Sequence, residues 1–264
     1  MHLSTLASEN LKDYMLYAVD MSEWTTKSIG SLLLTLNGRA DSLFNYVFCQ
    51  DWDPVESKQS ALDTLRYLSE HEIDTTWVVD SHMGEWKILL EKLGLRSPTI
   101  AKKVCMKIPK RISDYVNNRG LVLEAVMSND ELIQLDALAA KIFYCNSNDL
   151  IILLRGTTKR KQSRLRFFIA KLYGTVVGLC GMYVHGNVVG LYSDGVLPEY
   201  RNMGIASEMV SKRLIMASEL FGCEYAVAQC MSRSVGLYGR LGFKVTGNLF
   251  LYPSLAAQEE YLKE

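Results

Sequence analysis

The sequence predicts a mixed α/β protein of two units, each a twisted mixed sheet flanked by helices. Three observations support this. Apolar runs of strand length alternate with stretches of helical periodicity. A polar, turn-rich segment from Pro109 to Gly120 divides the chain. A shift of 148 residues lays parts of the first half on parts of the second. The expected domains are 1–110 and 119–264.

The elements follow in order. Residues 4–19 carry Leu6, Leu11, Tyr14, Met15 and Ala18 near helical spacing. LFNYVFCQ (43–50) reads as a strand, and Ser57 to His71 as a helix with Ala61, Leu62, Leu65 and Leu68 on one face. TTWVVD (75–80) is a strand, and EWKILLEKL (85–93) a helix stopped by Gly94. TIAKKVCMKI (99–108) is a strand before the link. Beyond it, 121–126 is a strand and 129–140 a helix. Segments 166–173 and 176–184 form a hairpin, and 188–196 the next strand. A helix runs from about Gly204 to Phe221 and a strand over 224–230. A short helix over 232–241 and a strand over 243–252 complete the order.

In the 148-residue repeat, TWVVD (76–80) lies on EYAVA (224–228), and LLEKLGL (89–95) on LYGRLGF (237–243), without a gap. The helix starting at Ser57 falls on the one starting near Ala206.

Of the 264 residues, 48% are apolar, enough for a sizeable core. Lys plus Arg and Asp plus Glu are 29 each, which argues against a general nucleic-acid binder. No apolar run approaches the roughly 18 residues of a membrane span. The polar N-terminus, with two acids in its first fifteen residues, does not read as a signal peptide. The six cysteines form no C-x-x-C pair and have no histidine at metal-ligand spacing. They read as small buried hydrophobes of a reduced, cytoplasmic protein without a metal.

The most informative segment is 188–210. A strand ends at Val196, Pro198 turns the chain, and Arg201, Asn202, Met203, Gly204, Ile205 and Ala206 lead into a long helix. Small residues at 204 and 206 allow close backbone approach to a ligand. The free N–H groups and dipole of the helix's first turn favour an anion, naturally a pyrophosphate.

Here the sequence resembles the GNAT acetyltransferase superfamily. Its cofactor loop, Arg/Gln-x-x-Gly-x-Gly/Ala, is matched by Arg201 to Ala206, and its Leu-Tyr-x-Lys/Arg-x-Gly-Phe signature by Leu237 to Phe243. The resemblance covers about 121–252; the first half resembles, more loosely, the degenerate first unit of tandem GNAT proteins. It implies acetyl-CoA as cosubstrate, a CoA pyrophosphate on the amides of 202–206, and a pantetheine arm along Gly195, Val196 and Leu197. Tyr238 would donate a proton to the leaving thiolate. The polar residue usual seven positions earlier is replaced by Met231.

The expected activity is acetyl transfer to a primary amine by direct attack in a ternary complex. The acceptor is a small molecule or a protein, without nucleic acid or membrane as partner; sequence leaves its identity and the oligomeric state open. The alternative is a catalytically silent CoA-binding sensor or interaction module. Asp194 is the first candidate base, on the face of Tyr192 and Val196 by alternation unless a bulge near Gly195 intervenes. Glu199 reads as solvated, Glu208 as complementing the helix dipole, and His185 as a hairpin residue; no base is specified. On the 148 shift, Arg201 meets Asp53, Gly204 meets Glu56 and Tyr238 meets Leu90, so carboxylates stand where phosphates would. The first unit is therefore expected not to bind CoA but to pack on the second and shape the acceptor cleft. The basic stretch 155–166 reads as a solvated loop or a contact for an acidic group.

Overall fold

A computed structural model describes residues 3–22, 24–40, 44–109, 120–143 and 163–255. They fall into two compact units. The N-terminal unit is Met15–Lys102 with Gly247–Glu264; the C-terminal unit is Met1–Tyr14 with Lys103–Thr246. The chain therefore changes unit within three elements: helix α1 (Leu6–Met21), strand β5 (Thr99–Lys107) and strand β11 (Lys244–Ser254). This differs from the expected division at 110–119. Each unit takes a strand from the other half of the sequence, which strand patterns within one half do not reveal.

In the N-terminal unit, β1 (Thr25–Ile29) and β2 (Leu32–Leu36) form a hairpin, and β3 (Tyr46–Cys49) pairs antiparallel with β2. Strand β4 (Thr75–Asp80) runs parallel to β3, and Leu249–Ser254 of β11 pairs antiparallel with β4. Helix α2 (Pro54–Glu70) crosses from β3 to β4 and buries Ala61, Leu65 and Leu68; α3 (Gly84–Lys92) follows β4 and buries Trp86, Leu89 and Leu90. The core centres on Leu32, Val47, Trp77, Trp86 and Tyr252. The Trp86 indole N–H donates to the Gln50 carbonyl at 2.9 Å, so its polar end is satisfied inside an apolar site. The hairpin β1–β2 was not expected from the sequence. Its outer strand, TTKSI, is polar and mostly exposed, so it shows no apolar alternation.

In the C-terminal unit, β6 (Leu121–Ala125), β7 (Leu165–Leu172), β8 (Thr175–His185) and β9 (Val188–Val196) pair antiparallel in that spatial order. Strand β10 (Tyr225–Cys230) runs parallel to β9, and β5 lies next to β10. Among the described residues, helices α4 (Asn129–Phe143), α5 (Ile205–Phe221) and α6 (Val235–Arg240) accompany this sheet. Met209, Val210, Leu214 and Ala217 of α5 pack with Val189, Leu191, Ala226 and Ala228 of β9 and β10. Each such apolar side chain contributes roughly 1.5–3 kcal/mol when fully buried, less for alanine. Gly222 ends α5 in the left-handed conformation at φ 65°, its N–H turned back to the Ala217 and Ser218 carbonyls. Leu6 and Ala7 of α1 pack with Val188 and Val227.

The elements otherwise lie within a few residues of their expected positions. The link at 110–119, Cys145 and most of the basic stretch lie outside the described residues. The repeat is real in element order but not gapless. From β3 to α2 the connection is Gln50–Asp53, whereas from β9 to α5 it is Leu197–Gly204, four residues longer. The longer connection holds a single 3-10 turn, Pro198–Tyr200. Gly204 therefore corresponds structurally to Asp53, each preceding its helix, rather than to Glu56.

Candidate active site

Strands β9 and β10 pair over only three positions, Val188 with Tyr225, Val189 with Ala226 and Gly190 with Val227. Strand β9 then continues to Val196 and β10 to Cys230. Where parallel strands stop pairing, their facing main-chain groups are available to an extended ligand. At the far end of β9 the chain enters the connection to α5.

That connection has the properties of an anion cradle. Asn202 and Gly204 both have left-handed backbones, at φ 63° and 79°. The turn is held by the Arg201 side chain, whose Nε donates to the Val196 carbonyl at 3.1 Å. Residues 201–204 are exposed, whereas Ile205 is buried and anchors the start of α5. Gly204 at the start of α5 makes no side-chain cap, unlike Asp53 at the start of α2. The residues present fit a pyrophosphate. Leu197 differs from expectation in one respect: its N–H donates to the Val177 carbonyl at 2.9 Å.

The N-terminal unit solves the same local problem differently. The Asp53 carboxylate caps α2, accepting from the Val55 N–H at 3.0 Å and the Glu56 N–H at 2.8 Å. A carboxylate of this chain thus fills the position that a phosphate would take. A cavity of about 550 Å³ lies alongside, lined by Trp52, Pro54, Lys58, Glu85, Ile88 and Leu93 among others. Leu90, the counterpart of Tyr238, is fully buried in the core.

Asp194 lies on the opposite face from the one alternation suggests. Pairing between β8 and β9 slips between Leu179 and Gly181, where Ser193 adopts φ 53°. This bulge reverses the side-chain order along β9. Tyr192 faces α1, its hydroxyl donating to Asn10 Oδ1 at 2.6 Å. Asp194 instead reaches Arg213 of α5, with Arg213 Nη2 at 2.5 Å from Asp194 Oδ1. The other carboxylate oxygen accepts from the Tyr238 hydroxyl at 2.8 Å. Gly195 turns towards α4, where an added Cβ would lie 2.5 Å from Ile142 and 3.0 Å from Phe143.

Tyr238 is buried at the centre of this group, with Phe243 edge-on to its ring at 5.1 Å. Burial, followed by the charge of Asp194, pushes its hydroxyl well above the usual tyrosine range, while Arg213 pulls the other way. The phenol is consequently a proton donor at neutral pH rather than a base. Arg213 is fully buried, and it is the residue that sequence reasoning missed. Burial opposes its charge, but Asp194, Cys180 and Tyr238 together outweigh it and raise its pKa. Its only sequence signal is a cation on the apolar stripe of α5.

The other candidate bases separate. Glu199 is exposed. Glu208 is buried, with Lys212 at 3.6 Å. His185 pairs with Asp13 of α1, which also accepts from the Tyr183 hydroxyl. At the described end of the basic stretch, Arg164 lies 3.5 Å from Asp13, and Arg166 lies over the Phe221 ring. Among the described residues, no group of His, Cys, Asp and Glu is placed to hold a metal, and no helix is long and apolar enough to cross a membrane.

The short pairing of β9 with β10, the uncapped start of α5 and the buried Tyr238 are the features that mark this end of the sheet as the candidate site. Residues 134–243 match the model of the Acetyltransferase (GNAT) family. Over that segment the chain is similar to the GNAT superfamily, and its fold is a mixed sheet flanked by helices. The structure is similar to a GCN5-related N-acetyltransferase from Kribbella flavida, at TM-score 0.73 and 12% identity, covering 96% of both chains. It is also similar to a GCN5-related N-acetyltransferase from Sphaerobacter thermophilus, at TM-score 0.64 and 13% identity, over 86% of this chain and 81% of that one. A tandem GNAT protein from the clavulanic acid biosynthesis pathway matches at TM-score 0.63 and 10% identity, over 86% of this chain and 79% of that one. A search of curated protein sequences finds no relative.

Proposed function

We propose that the C-terminal unit is an acetyl-CoA-dependent N-acetyltransferase acting on a primary amine. The observation that carries this reading is the uncapped N-terminus of α5 at the end of the parted strands β9 and β10. The amides of Asn202, Met203, Gly204, Ile205 and Ala206 receive the pyrophosphate. Gly195 and Val196 pair with the pantetheine arm, and Leu197 joins them only if it exchanges its bond to Val177. The N-terminal unit, with Asp53 in its own helix terminus, does not bind CoA.

The amine attacks the thioester carbonyl directly. A nitrogen–carbon bond forms, the carbon–sulfur bond breaks, and Tyr238 gives its proton to the departing sulfur. Asp194, the carboxylate held against Tyr238, takes the proton lost by the amine, although both of its oxygens already have partners. Direct attack is favoured over a covalent intermediate by the state of Cys230. Burial raises this thiol to about 11, so almost none is thiolate at neutral pH.

The test is calorimetric titration of acetyl-CoA into wild type and Gly204→Glu. One site per chain, abolished by the substitution, supports the reading; two sites, or binding that survives the substitution, overturns it. Binding without turnover over a panel of small amines and lysine peptides would instead identify a silent CoA-binding module.

A further inference from the structure

Arg213 lies on α5, two turns beyond its start, with no exposed surface. An unpaired guanidinium at such a site is costly, so its contacts account for its presence. They come from three elements. Its Nε donates to the Met209 carbonyl at 3.2 Å, on the same helix. Its Nη1 donates to the Gly181 carbonyl of β8 at 2.5 Å, at the irregularity in strand pairing. Its Nη2 lies 2.5 Å from Asp194 Oδ1 on β9. Asp194 in turn holds the Tyr238 hydroxyl through its other oxygen.

We propose that Arg213 is a positioning residue for acetyl transfer: acting through Asp194, it fixes the Tyr238 hydroxyl and compensates the negative charge beside it. This inference rests on Tyr238 being the acid of the proposed reaction. Its physical basis is the charge left when Tyr238 gives up a proton. A phenolate beside a lone buried carboxylate would place two like charges in contact. Arg213 supplies the opposing charge within the same group. The planar guanidinium can hold a carbonyl of β8 and a carboxylate of β9 together, which a compact ammonium does less well. The bulge at Ser193 presents Asp194 to it. The charged or titratable groups acting on Tyr238 are Asp194 on β9, Arg213 on α5 and Cys230 on β10. Cys180 on β8 acts on Arg213.

The test uses the full chain and three readouts. Acetyl-CoA affinity, measured calorimetrically, should change less than about threefold in Arg213→Met and Arg213→Lys, because Arg213 does not line the cradle. Release of CoA thiol from acetyl-CoA into water should fall at least tenfold in Arg213→Met and recover in part in Arg213→Lys, which keeps the charge. Adding Arg213→Met to Tyr238→Phe should cause no further fall. Tyrosinate absorbance, as the difference between each protein and its Tyr238→Phe counterpart, should show Tyr238 titrating at lower pH in Asp194→Asn. In Arg213→Met it should titrate at higher pH than in wild type. If Arg213→Met does not fold, Arg213→Lys and Asp194→Asn carry the test.

A wild-type rate in Arg213→Met, a further fall in the Tyr238→Phe background, or titrations that move together would overturn the proposal. If wild type does not bind acetyl-CoA, the proposed function fails, whereas the absorbance titration still decides whether Arg213 governs Tyr238.

Discussion

The Tyr238 hydroxyl donates to Asp194 Oδ2 at 2.8 Å, joining the short helix after β10 to the bulged end of β9. One residue was marked by a sequence signature and the other by its place before the loop. Their partnership depends on the bulge at Ser193, which turns Asp194 from the α1 face to the α5 face.

Tyr238→Phe should lower kcat about 10²-fold while leaving acetyl-CoA affinity nearly unchanged, as expected for loss of a general acid. The pKa of this acid is raised, so wild-type kcat should show no loss of the acid form below about pH 10. The raised pKa has a second consequence. Its contribution to stability is complete below the unfolded tyrosine value of about 10 and is lost as pH rises through the folded value. Wild type should therefore lose stability above pH 10 more steeply than Tyr238→Phe in alkaline denaturation.

Removal of the α2 cap by Asp53→Ala should destabilise the N-terminal unit by about 1 kcal/mol, read from urea unfolding. It should not create a second acetyl-CoA site. The four-residue connection Gln50–Asp53 is too short to reproduce the longer turn before α5. A second calorimetric site in this variant would show that the cap alone had blocked binding.

Gly178→Ala should separate β8 from β9 beside the bulge. The added Cβ would lie 2.4 Å from the Gly195 carbonyl oxygen, a main-chain atom that cannot swing aside. The expected cost is about 1–3 kcal/mol in denaturant unfolding, with weakened acetyl-CoA binding, because Gly195 and Val196 move with the strand. Full stability and affinity in this variant would contradict the role given to that strand end.

Arg213→Met should cost about 3–5 kcal/mol by leaving Asp194 without its buried partner. The double variant Arg213→Met with Asp194→Asn should be more stable than Arg213→Met alone, since it carries neither charge. Chemical denaturation of the two variants checks this order.

The described cysteines should resist thiol reagents in the folded protein at pH 7. Burial raises Cys105, Cys223 and Cys230 to about 11 and Cys180 to about 12, and pushes Cys49 higher still. In Cys145→Ser, labelling should be slow until denaturant is added and then reach five thiols per chain. Fast labelling of the folded variant would reopen a covalent role for Cys230.

Most elements were legible because burial on one face imposes a period on sequence. Helix α2 carries that period in Ala61, Leu65 and Leu68, whereas strands β4, β9 and β10 stand out as short, mostly buried apolar runs. The hairpin β1–β2 does not, because an exposed edge strand such as TTKSI has little to bury. The cradle was legible for a local reason: left-handed positions and an uncapped helix start require residues adjacent in sequence, here 201–206. Arg213 was not, since a lone cation within a helix matches no short motif.

By itself, the sequence determined the alternation of strands and helices, the doubled order, and the run 201–206 that leads into a helix. Each depends on neighbouring residues, and local sterics and periodic burial act at that range. Only the tertiary structure decided which half of the sequence β5 and β11 join, which face Asp194 occupies, and that Arg213 meets it. Those outcomes depend on strand pairing and on one extra residue in a ladder, and contacts distant in sequence set both.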